Sequence, residues 1–307
     1  MTRTQGRILV IRGGAIGDFV LTLPVLAALR QHFPQTYLEV LGYAHIAQLA
    51  LAGGLADAVR SIEARPLAGF FARGGVLADE LQRYFASFAL IISYLYDPDG
   101  IFQANVARCS RAQFIAGPHR PDEHGALHAT EVFLKPLERL AIFDMDAVPR
   151  LSLNSPPSAL PLLAFHPGSG SERKNWPESS WAELLQDLTT TTRLNFLLVG
   201  GEAEGDRLER LAATLPPARL EIARNLPLTE LAQRLSASMA FLGHDSGITH
   251  LAAALGLPAV VLWGDTVQAV WHPRGERIRI LRHPEGLVAL PVALVREGLQ
   301  METGVTH

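Results

Sequence analysis

Residues 241–266, FLGHDSGITHLAAALGLPAVVLWGDT, read as an apolar strand, a polar turn, a small-residue helix and a second apolar strand. Two strands joined through a helix run parallel, and a parallel sheet is covered on both faces, so this stretch commits its part of the chain to an α/β layer structure. Asp245-Ser246-Gly247 stands where the first strand stops, and His250 follows one helical turn later. The start of the helix leaves backbone N–H groups free, and with the helix dipole these attract anions such as phosphate. Polar groups at the carboxyl end of a parallel sheet are also where α/β proteins hold ligands. Asp245, Ser246, Gly247, Thr249 and His250 are therefore candidates for phosphate or ribose contact. The alternative is structural: Asp245 or Ser246 caps the helix, and His250 is a satisfied, partly buried histidine.

The same alternation runs along the rest of the chain. Strands are expected at 7–12, 36–42, 57–62, 89–94 and 113–117, with helices over about 18–32, 45–52 and 76–85. Residues 149–161, PRLSLNSPPSALP, are rich in proline and serine and lack periodicity, which marks a linker. Strands then resume at 162–168, 195–201, 239–244, 259–264 and 277–281. The helices between them are expected at 177–190, 203–215, 228–236 and 247–255, with a terminal helix within 285–301. The simplest architecture is two nucleotide-fold-like domains, 1–152 and 160–284, facing each other across a cleft, with a tail at 285–307 that is expected to cross back to the first domain.

Composition narrows the function. A hydrophobic fraction of 48% against 19% charged residues describes a folded globular chain, and a net charge of −3 disfavours a dedicated nucleic-acid binder. Cys109 is the single cysteine, so neither an internal disulfide nor a cysteine zinc site is expected. The N-terminus lacks the apolar core of a signal peptide, and no apolar run approaches the roughly 20 residues that span a bilayer. A cytoplasmic location is expected, with room for peripheral contact at the inner membrane.

Two further loops carry chemistry. Arg12-Gly13-Gly14-Ala15-Ile16-Gly17-Asp18 follows the first strand. Its glycines permit close approach of a ligand, but their spacing misses G-x-G-x-x-G, which disfavours a dinucleotide oxidoreductase. Asp18 is either a helix cap or a general base for an acceptor hydroxyl. His166-Pro167-Gly168-Ser169-Gly170-Ser171-Glu172-Arg173-Lys174 leads to Pro177, a good helix start. Ser169, Gly170 and Arg173 could wrap a diphosphate while Lys174 places a point charge on it; the alternative is a surface loop with solvated charges. The P-loop pattern is absent, and Ser169 lacks the G-x-S-x-G elbow. Lys135 and Lys174 are the only lysines.

Other features carry less. Asp97-Pro98-Asp99 and Asp144-Met145-Asp146 match a D-x-D metal-nucleotide signature, yet short acidic pairs are more often loop caps. His119, His124 and His128 cluster without cysteines or an H-E-x-x-H helix. Tyr94 and Tyr96 alternate at a strand end and suit either packing or sugar stacking.

Together, residues 8–30 (ILVIRGGAIGDFVLTLPVLAALR), 166–177 (HPGSGSERKNWP) and 244–266, with Trp271 and Pro273, resemble the heptosyltransferases of glycosyltransferase family 9. The resemblance implies a GT-B fold: two Rossmann-like domains with mostly parallel sheets facing a central cleft, acceptor in the first and nucleotide-sugar in the second. It implies that Asp18 is the base of an inverting displacement and that Lys174 neutralises the donor diphosphate. Asp245, Ser246, Gly247 and His250 would hold the phosphate and sugar end of the donor, and Arg12, Gly13 and Gly14 the acceptor-side loop. No metal and no cofactor is implied. The donor would be ADP-heptose or a related nucleotide-sugar, and the acceptor a lipopolysaccharide core or another cell-surface glycan. Gly13-Gly14 is a departure, because core heptosyltransferases often carry a serine pair there. A nucleotide-sugar-binding protein without transferase activity, or a nucleotide-sugar epimerase or hydrolase of similar fold, are the alternatives.

Overall fold

A computed structural model describes residues 6–153, 161–171, 174–201 and 204–304. The chain divides into two compact units, Met1–Val148 and Pro149–His307. Of the proline- and serine-rich segment, residues 154–160 lie outside the described residues. Leu151 belongs with the second unit, its N–H donating to the Ala254 carbonyl at 2.8 Å.

In the first unit, β1 (Arg7–Arg12) leads to α1 (Ile16–Val20), α2 (Leu23–His32), β2 (Tyr37–Gly42), α3 (Ala44–Ala52) and β3 (Ala58–Ser61). After these come α4 (Asp79–Ala86), β4 (Leu90–Ser93), α5 (Ile101–Ala107), β5 (Gln113–Ala116) and α6 (Ala129–Leu134). The sheet order is β3-β2-β1-β4-β5, with every pairing parallel. The helix expected over 18–32 is broken in two. Pro24 has no N–H to give to Val20, and the Thr22 N–H turns to the Phe19 carbonyl at 2.9 Å while its hydroxyl takes the Asp18 carbonyl at 2.8 Å.

The second unit runs β6 (Leu162–His166), α7 (Glu178–Thr191), β7 (Asn195–Gly200), α8 (Arg207–Ala212), β8 (Leu220–Arg224) and α9 (Leu228–Ser236). It continues with β9 (Ala240–His244), α10 (Gly247–Ala254), β10 (Ala259–Leu262), α11 (Gln268–Trp271), β11 (Ile278–Leu281) and α12 (Val292–Thr303). The order is β11-β10-β9-β6-β7-β8, again all parallel. β8 has no counterpart in the sequence reading. LEIAR is short, polar and half exposed because it sits at the sheet edge, so it lacks the apolar run that betrays a central strand.

Helix faces follow from spacing. Trp181, Leu184, Leu185 and Leu188 bury one stripe of α7, and Leu228, Leu231, Ala232 and Leu235 one stripe of α9. α12, the helix expected near the C-terminus, packs against α7, β9, β10 and β11 of the second unit. Among the described residues, no helix is long and apolar enough to cross a membrane.

In both sheets the first strand has its sequential successor on one side and a later strand on the other. Order therefore reverses between β1 and β4, and between β6 and β9, and the crevice beyond the carboxyl ends at such a reversal is where α/β sheets take ligands.

Leu299 of α12 is buried in the same core as Leu262 and Trp181. Leu299→Ala should cost about 2–5 kcal/mol. All four tryptophans (Trp176, Trp181, Trp263 and Trp271) lie in the second unit, so the loss should register in the tryptophan-fluorescence urea transition.

Candidate active site

In the second unit, β6 and β9 end side by side on His166 and His244, both buried. Asp245 and Ser246 follow β9 directly. Ser246 is the N-cap of α10: its Oγ accepts the Thr249 N–H at 3.3 Å, and the Thr249 hydroxyl donates back to the His244 carbonyl. The structural role considered for Ser246 is thus filled. It leaves the first-turn N–H groups of Gly247 and Ile248 without intrahelical acceptors, pointing out of the helix start. His250 lies one turn on, buried, with its N–H on the Ser246 carbonyl at 3.2 Å.

Lys174 reaches this turn from the loop after β6, its Nζ donating to Asp245 Oδ2 at 2.7 Å. Residues 71 positions apart are so brought together. The Lys174 side chain is 38% exposed and that of Asp245 only 8%, so the ammonium keeps donors for a second, anionic partner. In the same loop, Ser169 Oγ lies 2.8 Å from Asn175 Oδ1, and Gly170 is exposed with φ +73°. Glu172 and Arg173 lie outside the described residues.

Buried imidazoles hold the loop in place. His244 Nε2 accepts the Trp176 backbone N–H at 2.7 Å, which leaves the ring proton on Nδ1, facing the Gly168 carbonyl at 3.3 Å. Burial lowers the His244 pKa to about 3; its bond to the Gly168 carbonyl opposes the shift, while His166 and Arg207 add to it. His166 Nδ1 lies 3.3 Å from Ser246 Oγ, and its Nε2 3.6 Å from Glu204 Oε1. Burial pushes the His166 pKa down against the pull of Glu204. Glu204, buried and bonded to the Gly201 N–H at 2.5 Å, is a site residue that sequence reasoning misses. Its partner in packing is Gly168, where a Cβ would stand 1.9 Å from Glu204 Oε1; Gly168 is the only trace it leaves in the sequence.

In the first unit, Asp18 sits on α1 just beyond β1. Its Oδ2 accepts the Ala15 N–H at 3.0 Å, the helix-capping role, and its side chain remains 29% exposed. Arg12, at the end of β1, is buried over the Phe133 ring at 4.4 Å. Its guanidinium meets Asp18 Oδ1 at 3.4 Å, the Asp18 carbonyl at 3.2 Å and the His119 carbonyl at 2.9 Å. Burial lowers the Arg12 pKa, with Asp18 and Tyr94 opposing. Gly13 is half-buried; Gly14 is exposed with φ +97°, and a Cβ there would stand 2.8 Å from Asp18 Oδ2.

One aspartate of each acidic pair binds loop or helix-start N–H groups: Asp97 accepts those of Phe102 and Gln103 at 3.1 and 3.0 Å, and Asp146 that of Val148 at 2.9 Å. His128 is the buried N-cap of α6.

Residues 139–289 match the family model described as glycosyltransferase family 9 (heptosyltransferase). Lipopolysaccharide heptosyltransferase 1 of Pseudomonas aeruginosa is 37% identical over 106 residues. Over these residues the chain is similar to the heptosyltransferases of glycosyltransferase family 9. That match takes in 34% of this chain, and the chain spans only 29% of the length of that curated relative. A glycosyl transferase family 9 structure from Veillonella parvula has a TM-score of 0.79 at 17% identity, over 99% of this chain and 98% of that one. An E. coli heptosyltransferase solved with ADP-2-deoxy-2-fluoro heptose has a TM-score of 0.73 at 21% identity, over 96% and 99%. These likenesses establish the GT-B fold of the chain, two Rossmann-like units with parallel sheets.

Its neutral His244 makes stability depend on pH. The unfolded imidazole titrates near 6.5 and the folded one near 3. Between those values the unfolded chain binds a proton that the folded chain does not, so stability present at pH 7 is lost as pH falls. From pH 7 to pH 5 this one group should remove about 2 kcal/mol. Urea unfolding of wild type and His244→Gln at the two pH values checks it. The variant should show a flatter pH dependence, and equal slopes would exclude His244 as the source.

Proposed function

We propose that this protein is an inverting, metal-independent glycosyltransferase. It moves a heptose from ADP-heptose, or a related sugar from its nucleotide, to a lipopolysaccharide core or another cell-surface glycan. The observation that carries the reading is the Lys174–Asp245 pair beside the N-terminus of α10, at the strand-order reversal of the second sheet. An exposed ammonium with spare donors and a helix start with free N–H groups are what a leaving diphosphate needs. The likeness to a heptosyltransferase solved with an ADP-heptose analogue supports that donor. The name of the P. aeruginosa relative supports a lipopolysaccharide acceptor.

In this reading Asp18 takes the proton of the acceptor hydroxyl. The freed oxygen attacks the anomeric carbon, the bond from that carbon to the diphosphate breaks, and ADP departs with the electron pair. A single displacement of this kind inverts the anomeric centre. Asp18 suits the part because a carboxylate has about four acceptor positions; the Ala15 N–H and Arg12 leave some of these open. Lys174, with the N–H groups of Gly247 and Ile248, meets the charge that develops on ADP. A cation and a helix start supply that neutralisation without a metal. His250, Ser169 and Arg173 complete the donor side, and Gly13 and Gly14 leave room beside Asp18 for the acceptor. A glycolipid acceptor would bring the protein to the cytoplasmic face of the inner membrane.

Asp18→Ala should lower transfer by at least 10²-fold, the usual scale of general-base catalysis, while the thermal shift produced by ADP persists. Wild-type turnover in that variant would remove Asp18 from the reaction. Lys174→Ala should weaken ADP about tenfold or more in calorimetry, the worth of a charge-assisted hydrogen bond. An unchanged Kd would take Lys174 out of the clamp. UDP and GDP in the same titrations test the choice of nucleotide.

A further inference from the structure

Beyond the carboxyl ends of β4 and β5 lies a cavity of about 230 Å³ whose lining includes Ser93, Leu95, Tyr96, Gln103, Phe114 and His119. Tyr94 and Tyr96, two residues apart, have opposite fates. Tyr94 is 1% exposed, with its hydroxyl donating to the Phe133 carbonyl at 2.6 Å, and it is a core residue. Tyr96 is 72% exposed and held on edge against the His119 ring, centroid to centroid 4.6 Å. Among the described residues, the Tyr96 hydroxyl, the Gln103 amide and the His119 ring nitrogens make no hydrogen bond to the protein.

The cavity stands beside Asp18. The Arg12 guanidinium that meets Asp18 Oδ1 also holds the His119 carbonyl, at 2.9 Å, so the cavity wall and the carboxylate hang on one buried group. β4 is the strand next to β1 across the order reversal of the first sheet, where a ligand is expected.

Its chemistry selects the ligand. An exposed aromatic face over a small cavity with a few convergent polar groups suits a body that is apolar on its flat faces and hydroxylated at its edge, which describes a sugar ring. The volume is below the roughly 300 Å³ at which drug-sized sites begin, so there is room for one ring and not for a nucleotide. The only carboxylate on the lining, Asp97, is pinned to the first turn of α5, and it makes the rim unwelcoming to an anion.

We propose that this cavity binds one uncharged sugar ring of the acceptor, with Tyr96 as its stacking face and Gln103 and His119 meeting its hydroxyls. Tyr96 is then a specificity residue for the acceptor. The inference rests on the reading of the protein as a glycosyltransferase with a glycan acceptor.

The test uses the full-length protein and deacylated lipopolysaccharide core oligosaccharide, with binding read by saturation-transfer NMR in the absence of donor. Wild type should bind, Tyr96→Ala should bind at least tenfold more weakly, and Tyr96→Trp should restore binding. No binding by wild type, or equal binding by Tyr96→Ala, overturns the subsite. Steady-state transfer separates this from the function itself. A tenfold higher acceptor KM in Tyr96→Ala, with donor KM unchanged, supports the subsite, whereas transfer with an unaltered acceptor KM removes the subsite and leaves the function standing. Tyr96-dependent binding without any transfer by wild type keeps the subsite and removes the function.

Discussion

The hydrogen bond from the Trp176 backbone N–H to Nε2 of the buried His244 fixes the loop after β6 against the end of β9. Lys174 stands two residues before that bond and Asp245 one residue after His244, so the imidazole sets the distance across which the ion pair closes. The indole of Trp176 adds a second anchor, with its Nε1–H on the Leu290 carbonyl at 3.0 Å. Trp181 stacks edge-on against both Trp176 and His244, at 5.4 and 5.5 Å. An aromatic core, neutral because burial denies His244 a second proton, thus carries a polar turn on its edge. A negative charge placed beneath that turn would oppose an anion at the free N–H groups of the helix start.

The first unit reaches a comparable result with a charge. Arg12 is buried beneath the loop, stacked over Phe133, and satisfied by one carboxylate and two backbone carbonyls. Breaking such an arrangement leaves an uncompensated buried cation, so the position of Asp18 is tied to the integrity of the unit. The two units differ accordingly: a neutral imidazole lies under the turn that opens α10, and a guanidinium holds the Asp18 carboxylate. Each is placed where strand order reverses.

Much of the fold is legible in the sequence because buried parallel strands must be nearly continuous apolar runs. RILVIR, NFLLVG and AVVL show this plainly. β8 is hidden because an edge strand need not be apolar, and the break between α1 and α2 because a proline near a helix start is ordinarily tolerated. For the site, Asp18, Lys174, Ser246 and Asp245 announce themselves by standing in glycine-rich or polar turns at strand ends. Glu204 and His119 do not. Glu204 matters through a contact with His166, and His119 through a carbonyl and a ring edge. Neither contact has a period or a spacing.

By itself the sequence determined the alternation of strands and helices and the polar loops at the strand ends, because these are local patterns of apolar spacing and turn residues. Tertiary structure decided which of those loops meet within each unit. Lys174 joins Asp245 because β6 and β9 are neighbours although far apart in the chain, and Tyr94 is core while Tyr96 is open because only one of them lies beneath α6 and its flanking residues. The physical reason is the same in both cases: strand order brings distant residues to one sheet edge, and burial then assigns each side chain to packing or to a ligand.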